Sequence, residues 1–209
     1  VYATFLAKPM SDQPGSAMHI HQSIIDIDTG RNVFSTQNGR DSALFRSHIA
    51  GLVRLMPQVL PLFAPNVNSF RRMQPDTAAP INVHWGTDNR SCGLRVPVSG
   101  YKDRRIENRL PGADANPYLA IAASLVCGYV GMVERMQPPK AITGSAYNRA
   151  RTLPRTLEAA LDRFSHCRPV KQLLGEDFFE LFYAIKETEL FAYQSVISSW
   201  EREHLLLKV

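Results

Sequence analysis

From Tyr118 to Val133 the chain is apolar almost without a break, and Asn116-Pro117 stands directly in front of that run. Asn caps helices well and Pro favours the first helical position, so the pair predicts a helix that starts at 117 and continues to about Met136. Gln137-Pro138-Pro139 stops it. Ser124, Gly128 and Gly131 interrupt the run, and it falls short of the roughly 18–20 apolar residues that a membrane span needs. The run therefore reads as a buried helix. With 209 residues, 44% of them hydrophobic and 21% charged, the chain has the material to bury it, and disorder is excluded. The length suits one domain or two small ones. Cys92, Cys127 and Cys167 are odd in number and lack metal-type spacing, which excludes a secreted disulfide scaffold and fits reduced thiols in the cytoplasm. The opening Val1-Tyr2-Ala3-Thr4-Phe5 has neither an initiator Met nor the make-up of a signal peptide, and the expectation is that the sequence begins inside a longer protein.

Other elements follow from periodicity. Thr4 to Lys8 and Ala17 to Asp26 read as two strands divided by the turn Ser11 to Ser16, and a short third strand is expected around Asn32 to Phe34. Phe45, Ile49, Leu52, Val53, Met56, Leu60 and Phe63 recur at helical spacing, with Asp41 or Ser42 as the cap and Pro57 and Pro61 as kinks or stops. From Ala64 to Leu110 the chain is rich in Pro, Asn and Arg, with strand-like pieces at Ile81–Trp85, Gly93–Val96 and Arg105–Leu110; such a segment suits a site better than a core. A short helix from Leu157 to Phe164 and a long amphipathic C-terminal helix, broken at most once, complete an α+β pattern. The expected arrangement is an antiparallel sheet with helices packed on one side.

The formal net charge of +5 is carried mainly by arginine. Lysines number six, so eighteen of the 24 basic residues are Arg, and seven of these lie between Arg71 and Arg109. Arg forks suit planar, bidentate binding of carboxylate and phosphate. They are interspersed with apolar residues and acids, without the aromatic platforms of a nucleic-acid binder, so neither nucleic acid nor membrane is the expected partner.

Two constellations carry chemistry. His19-Ile20-His21 places two imidazoles on one strand face, where they could share a metal or a phosphate or simply face solvent. In Arg104-Arg105-Ile106-Glu107-Asn108-Arg109, a strand puts Arg105, Glu107 and Arg109 on one face; this is either a surface ion-pair ladder of little energetic consequence or a carboxylate for a divalent cation flanked by guanidiniums for phosphoryl or carboxylate oxygens.

With Asn68-Ser69-Phe70-Arg71-Arg72, Asn89-Arg90-Ser91 through Arg95-Val96-Pro97, and Gly112 to Leu119, these pieces resemble the glutamine synthetase family, in the family's order and over almost the whole chain. The resemblance implies an ATP-dependent ligase that forms a γ-glutamyl amide from glutamate and an amine through γ-glutamyl phosphate, supported by Mg²⁺ or Mn²⁺. It implies His19 and Glu107 as metal ligands; Arg90 and Arg109 as catalytic arginines at the phosphoryl group; Gly15 and Arg72 at the glutamate; and His21, Ser23, Arg95, Lys102 and Arg105 at the nucleotide. Further ligands and a smaller N-terminal domain are expected upstream, making residues 1–209 the C-terminal part of a catalytic domain, inactive alone, in a ring-shaped homo-oligomer.

Two departures bear on the substrate. Pro14-Gly15-Ser16-Ala17 stands where the family usually has Asn-Gly-Ser-Gly, and Ala78 stands where glutamine synthetases carry the flap glutamate that attracts ammonium and deprotonates it. The loss makes room for a larger amine. Together with Trp85-Gly86-Thr87-Asp88-Asn89-Arg90, it resembles the relatives that γ-glutamylate polyamines. Trp85 could offer an aromatic face to a cation or belong to the core. Asp76 and Asp88 are candidate ammonium partners. The alternatives are a glutamine synthetase using ammonium and a catalytically silent module of the same fold. Tyr147 reads as a structural loop tyrosine, Asp114 and Asn116 as organisers of the helix start, and His166-Cys167 as a helix-end pair without chemistry.

Overall fold

The structure is a computed structural model that describes residues 1–208. Four three-residue strands form one sheet in the order β1-β4-β3-β2: β1 (Ile20–Gln22), β2 (Trp85–Thr87), β3 (Leu94–Val96) and β4 (Ile106–Asn108). The pairs β1/β4 and β3/β4 are antiparallel, whereas β2 runs parallel to β3. The sheet is therefore mixed rather than wholly antiparallel. Parallel neighbours usually need a long crossover, but strands this short let the loop from Asp88 to Gly93 return the chain to the start of the sheet.

The register sorts the side chains. His21, Glu107 and Arg95 are cross-strand partners on one face, and Ile20, Asn108 and Leu94 are partners on the other. The second face meets the helices. α1 (Ala43–Leu55) is capped by Ser42, whose Oγ accepts from the Phe45 amide, and ends before Pro57, which cannot donate. Pro61 lies within a 3₁₀ turn, Leu60–Leu62. α3 (Pro117–Val133), which follows the short α2 (Ser69–Arg72), packs along α1 and lies beneath the sheet. Ser124 of α3 donates to Gln22 Oε1 (3.0 Å) and accepts from Asn108 Nδ2 (3.1 Å), joining that helix to β1 and β4. Asn116 Oδ1 accepts from the amides of Tyr118 and Leu119 as the sequence predicts. The helix stops three residues before Met136, because Arg135 turns left-handed (φ 49°) and the Met136 amide bonds back to Gly131 O.

Beyond these lie α4 (Leu157–Ser165), α5 (Arg168–Leu174), α6 (Glu176–Gln194) and α7 (Ser199–Leu205). Phe164 stacks on Phe179 at 3.7 Å, joining α4 to α6. The long C-terminal helix is broken once, at Ser195–Ser198, where Ser198 and Glu201 form a capping box. Helix α5 was not expected from periodicity.

Several expected strands are absent. Thr4–Lys8 is irregular: the side-chain amide of Asn68 accepts from the Lys8 N–H (2.8 Å) and donates to its carbonyl (2.9 Å), so a side chain does the work of a neighbouring strand. Of Ala17–Asp26 only β1 joins the ladder, and the third strand shrinks to a single bridge, Ile25 to Asn32. Residues 81–84 precede β2 outside the ladder: His84 O accepts from the Leu94 N–H of β3 (3.1 Å), but Val83 N–H donates to Thr152 Oγ1 and Asn82 Nδ2 to Ala146 O. No helix among the described residues is long and apolar enough to cross a membrane.

Candidate active site

The exposed face of the sheet gathers the charged residues that alternation predicts. Glu107, only 2% exposed, is the centre. His19 Nδ1 lies 3.0 Å from Glu107 Oε1, Arg109 Nη1 donates to the same oxygen at 2.8 Å, and Arg95 Nη1 donates to Oε2 at 2.6 Å. Burial alone would push the Glu107 carboxyl up, but hydrogen bonds from His19 and Arg95, with the charge and hydrogen bond of Arg109, outweigh it and hold the group well below the usual carboxylate range. The surface ion-pair ladder is thereby excluded: this carboxylate is buried and neutralised on both oxygens. His21, alongside on β1, is shifted down by desolvation, with Glu107 opposing and Arg105 and Arg95 adding to the shift.

Arg109 is itself buried, and its Nη2 donates to Ala78 O at 3.3 Å while its Nε has no partner. The flap around Ala78 is unusually constrained. Asp76 and Ala78 both adopt φ 59°, and the turn is held by Thr77 Oγ1 donating to Gln74 O (2.7 Å) and Tyr147 OH donating to Ala79 O (3.1 Å). Tyr147 is thus a structural tyrosine with a defined task.

Arg72 does not open onto the site. It is 3% exposed, and its guanidinium donates to the carbonyls of Leu110 and Arg109 (2.9 Å each) and of Pro111 (3.3 Å). Burial pulls its pKa down to about 10. Gly15 packs directly on it: a Cβ there would stand 2.6 Å from Ala7 O and 2.7 Å from Arg72 Cγ. Asp114 Oδ2 accepts from Ser69 Oγ (2.6 Å) and Asn66 Nδ2 (3.1 Å), tying the start of α2 to the segment ahead of α3.

The remaining candidates are spread around the cluster. Arg90 is exposed on the loop between β2 and β3 and makes no side-chain hydrogen bond or ion pair among the described residues. Arg105 flanks Glu107 with Nη1 donating to Asp103 O (3.1 Å), Ser23 is exposed just beyond β1, and Lys102 borders a cavity of about 610 Å³ with Tyr101, Arg31 and Ser35. Trp85 is placed differently from the aromatic-platform reading. Its partner in the register is Leu94, on the helix-facing side of the sheet, and its Nε1 donates to Pro139 O at 2.8 Å. Asp88 is bound through Oδ1 to Arg95, at Nε (2.9 Å) and Nη2, with its side chain at the surface. That ion pair was missed in the sequence; only the parallel return of β3 beside β2 brings the two together.

His19 and Glu107 are donor types that Mn²⁺ or Mg²⁺ accepts, an imidazole and a carboxylate 3.0 Å apart, with both Glu107 oxygens engaged by arginine in this structure. Among the described residues no group of three or more His, Cys, Asp or Glu side chains assembles, so they fit one edge of a metal site.

The profile of the glutamine synthetase catalytic domain matches residues 1–205. The chain belongs to the glutamine synthetase family. It is 35% identical over 214 residues to type-1 glutamine synthetase 2 of Dictyostelium discoideum, covering 99% of this chain and 41% of that protein. It is 37% identical over 207 residues to the gamma-glutamylputrescine synthetase PuuA of Escherichia coli (strain K12), covering 99% of this chain and 44% of that protein. Among solved structures, apo GmaS without ligand superposes with a TM-score of 0.87 at 29% identity, over 97% of this chain and 48% of the other. The chain thus spans less than half the length of these glutamine synthetase relatives.

Proposed function

We propose that this chain is part of an ATP-dependent ligase that joins glutamate to an amine, with a polyamine or other alkyl amine rather than ammonium as the acceptor. In this reading the γ-carboxylate of glutamate attacks the terminal phosphorus of ATP and ADP leaves. The amine nitrogen then attacks the acyl carbon of γ-glutamyl phosphate, loses a proton and expels phosphate. Arg90 and Arg109 offset the charge on the phosphoryl oxygens; His21, Ser23, Arg95, Lys102 and Arg105 receive the nucleotide; Gly15 and Arg72 shape the glutamate side. His19 and Glu107 would hold a divalent ion, which when bound supplies further neutralisation of phosphoryl charge. The whole protein is read as a ring-shaped homo-oligomer.

The observation that carries the choice of amine is Ala78. It is exposed in the flap beside Arg109, whose guanidinium bonds its carbonyl, and it presents a methyl group where ammonium-using relatives are expected to present a carboxylate. A methyl offers ammonium neither a countercharge nor a base. The similar identities to a glutamine synthetase and to a gamma-glutamylputrescine synthetase support ammonium as the second reading.

An amine screen on the full-length protein separates the two. ATP- and glutamate-dependent phosphate release is measured with ammonium, putrescine, longer polyamines and ethanolamine. An alkyl amine should exceed ammonium in kcat/KM, and Ala78→Glu should move the ratio toward ammonium by about tenfold or more. Ammonium as the best substrate of the unaltered protein would refute the role given to Ala78.

A further inference from the structure

We infer that Asp88 is a positioning residue for Arg95, holding that guanidinium in the plane from which it meets an anionic ligand above Glu107. The inference rests on the ligase reading for the identity of that ligand, the phosphates of ATP, and on geometry alone for the rest.

A guanidinium has five N–H donors. Asp88 Oδ1 takes two from the side of Arg95, Nε at 2.9 Å and one on Nη2, and Glu107 Oε2 takes one on Nη1 at 2.6 Å. One N–H remains on each Nη. The Arg95 side chain is 17% exposed and thus pinned between the buried carboxylate of Glu107 and one at the surface, the Asp88 side chain being 54% exposed. Asp88 is held as firmly as it holds. Its backbone is left-handed (φ 48°), a conformation Asp tolerates better than most residues, and its N–H donates to Val96 O at 2.8 Å, one residue beyond Arg95.

This arrangement has a directional consequence. Without Asp88, Arg95 keeps a single anchor, at Nη1, and can swing about it; with Asp88 the fork is fixed before the ligand arrives, so little ordering entropy is lost on binding. Arg90 follows two residues later on the same return loop, so the anchor also fixes the root of the loop that carries it.

The test uses full-length protein carrying Asp88→Asn, with Asp88→Gly as a second variant that accepts the left-handed backbone without strain. ATP affinity is measured by calorimetry with Mg²⁺, and KM for ATP and for the amine are measured separately. Both variants should melt like the parent, weaken ATP binding and raise the ATP KM by about tenfold, and leave the amine KM within about twofold. Arg95→Lys combined with Asp88→Asn should be no worse than Arg95→Lys alone, since the carboxylate acts through that guanidinium. Unchanged ATP affinity, an effect confined to the amine KM, or additive effects in the double variant would overturn the inference. If the parent binds ATP but ligates no amine, the ligase reading fails while the affinity comparison still decides the role of Asp88; if the parent does not bind ATP, both fail.

Discussion

Glu107 shows why charge counts mislead at the level of single residues. The chain is basic overall, yet the charged face of its sheet is organised by one buried anion on which His19, Arg95 and Arg109 converge. Removing a partner from a buried ionic cluster costs far more than an exposed ion pair contributes, because the remaining charges stay desolvated. Glu107→Gln should therefore destabilise the fold by about 3 kcal/mol, read as a shift in the urea midpoint at unchanged slope, and should weaken Mn²⁺ binding by the full-length protein. A midpoint unchanged from the parent would mean that the guanidiniums are satisfied by water. The carboxylate and its flanking arginines were legible beforehand, since alternation along a strand is enough to set Arg105, Glu107 and Arg109 on one face. Arg72, Trp85 and Asp88 were not. Each has its environment set by residues distant in sequence or by strand direction: Arg72 by carbonyls beyond β4, Trp85 by the side of the sheet on which Leu94 lies, Asp88 by the parallel return.

Among the elements, α1 and α3 could be read from the sequence because each carries its own signals, a 3.6-residue apolar period in one and Asn-Pro at the start of the other. The strands could not, because three-residue ladders contain too few alternations to be distinguished from loops whose backbone is satisfied by side chains. What periodicity also hides is how closely the two helices approach. At the crossing Gly51 and Gly131 face each other, and a Cβ on Gly131 would stand 2.2 Å from Ser47 O and 2.6 Å from Gly51 Cα. One turn away, His48 is fully buried against Gly128, with both ring nitrogens unpartnered. Gly131→Ala should cost about 2–3 kcal/mol, because the contact is backbone against backbone and no side chain can move aside. Burial also lowers the pKa of His48 from its ordinary 6.5 to about 4. The neutral form is the one the fold accepts, so this site favours folding fully above about pH 6.5; as pH falls from there toward 4 the unfolded chain takes up a proton that the folded one refuses, a loss of about 3 kcal/mol in all. Denaturation at pH 7 and pH 4.5 should show that loss in the parent and a much smaller one in His48→Leu, an outcome that carboxylates titrating in the same range cannot imitate because both proteins share them.

At the scale of the whole molecule, two features point beyond the described residues. The proposed metal ligands are one imidazole and one carboxylate, His19 and Glu107, and no third His, Cys, Asp or Glu joins them among the described residues. The helices also leave large apolar side chains uncovered, with Tyr118, Ile121, Leu125, Tyr129 and Val133 exposed along one flank of α3. These residues recur at three- and four-residue spacing, the stripe by which a helix packs against a neighbour. The chain spans less than half of the relatives it matches, and the proposed reading as part of a larger ligase expects further ligands and packing surface from other polypeptide. The 209-residue chain prepared alone should then fold, retaining the Glu107 cluster, but form no ADP above a protein-free blank when given ATP, glutamate, Mg²⁺ and any amine. Far-UV circular dichroism with cooperative melting establishes that it is folded, and a coupled ADP assay measures the rest. The comparison that matters is with the full-length protein under the same conditions. Turnover by the 209-residue chain would show that His19 and Glu107 suffice to organise the metal and the phosphates, and that catalysis needs nothing packed on the apolar flank of α3.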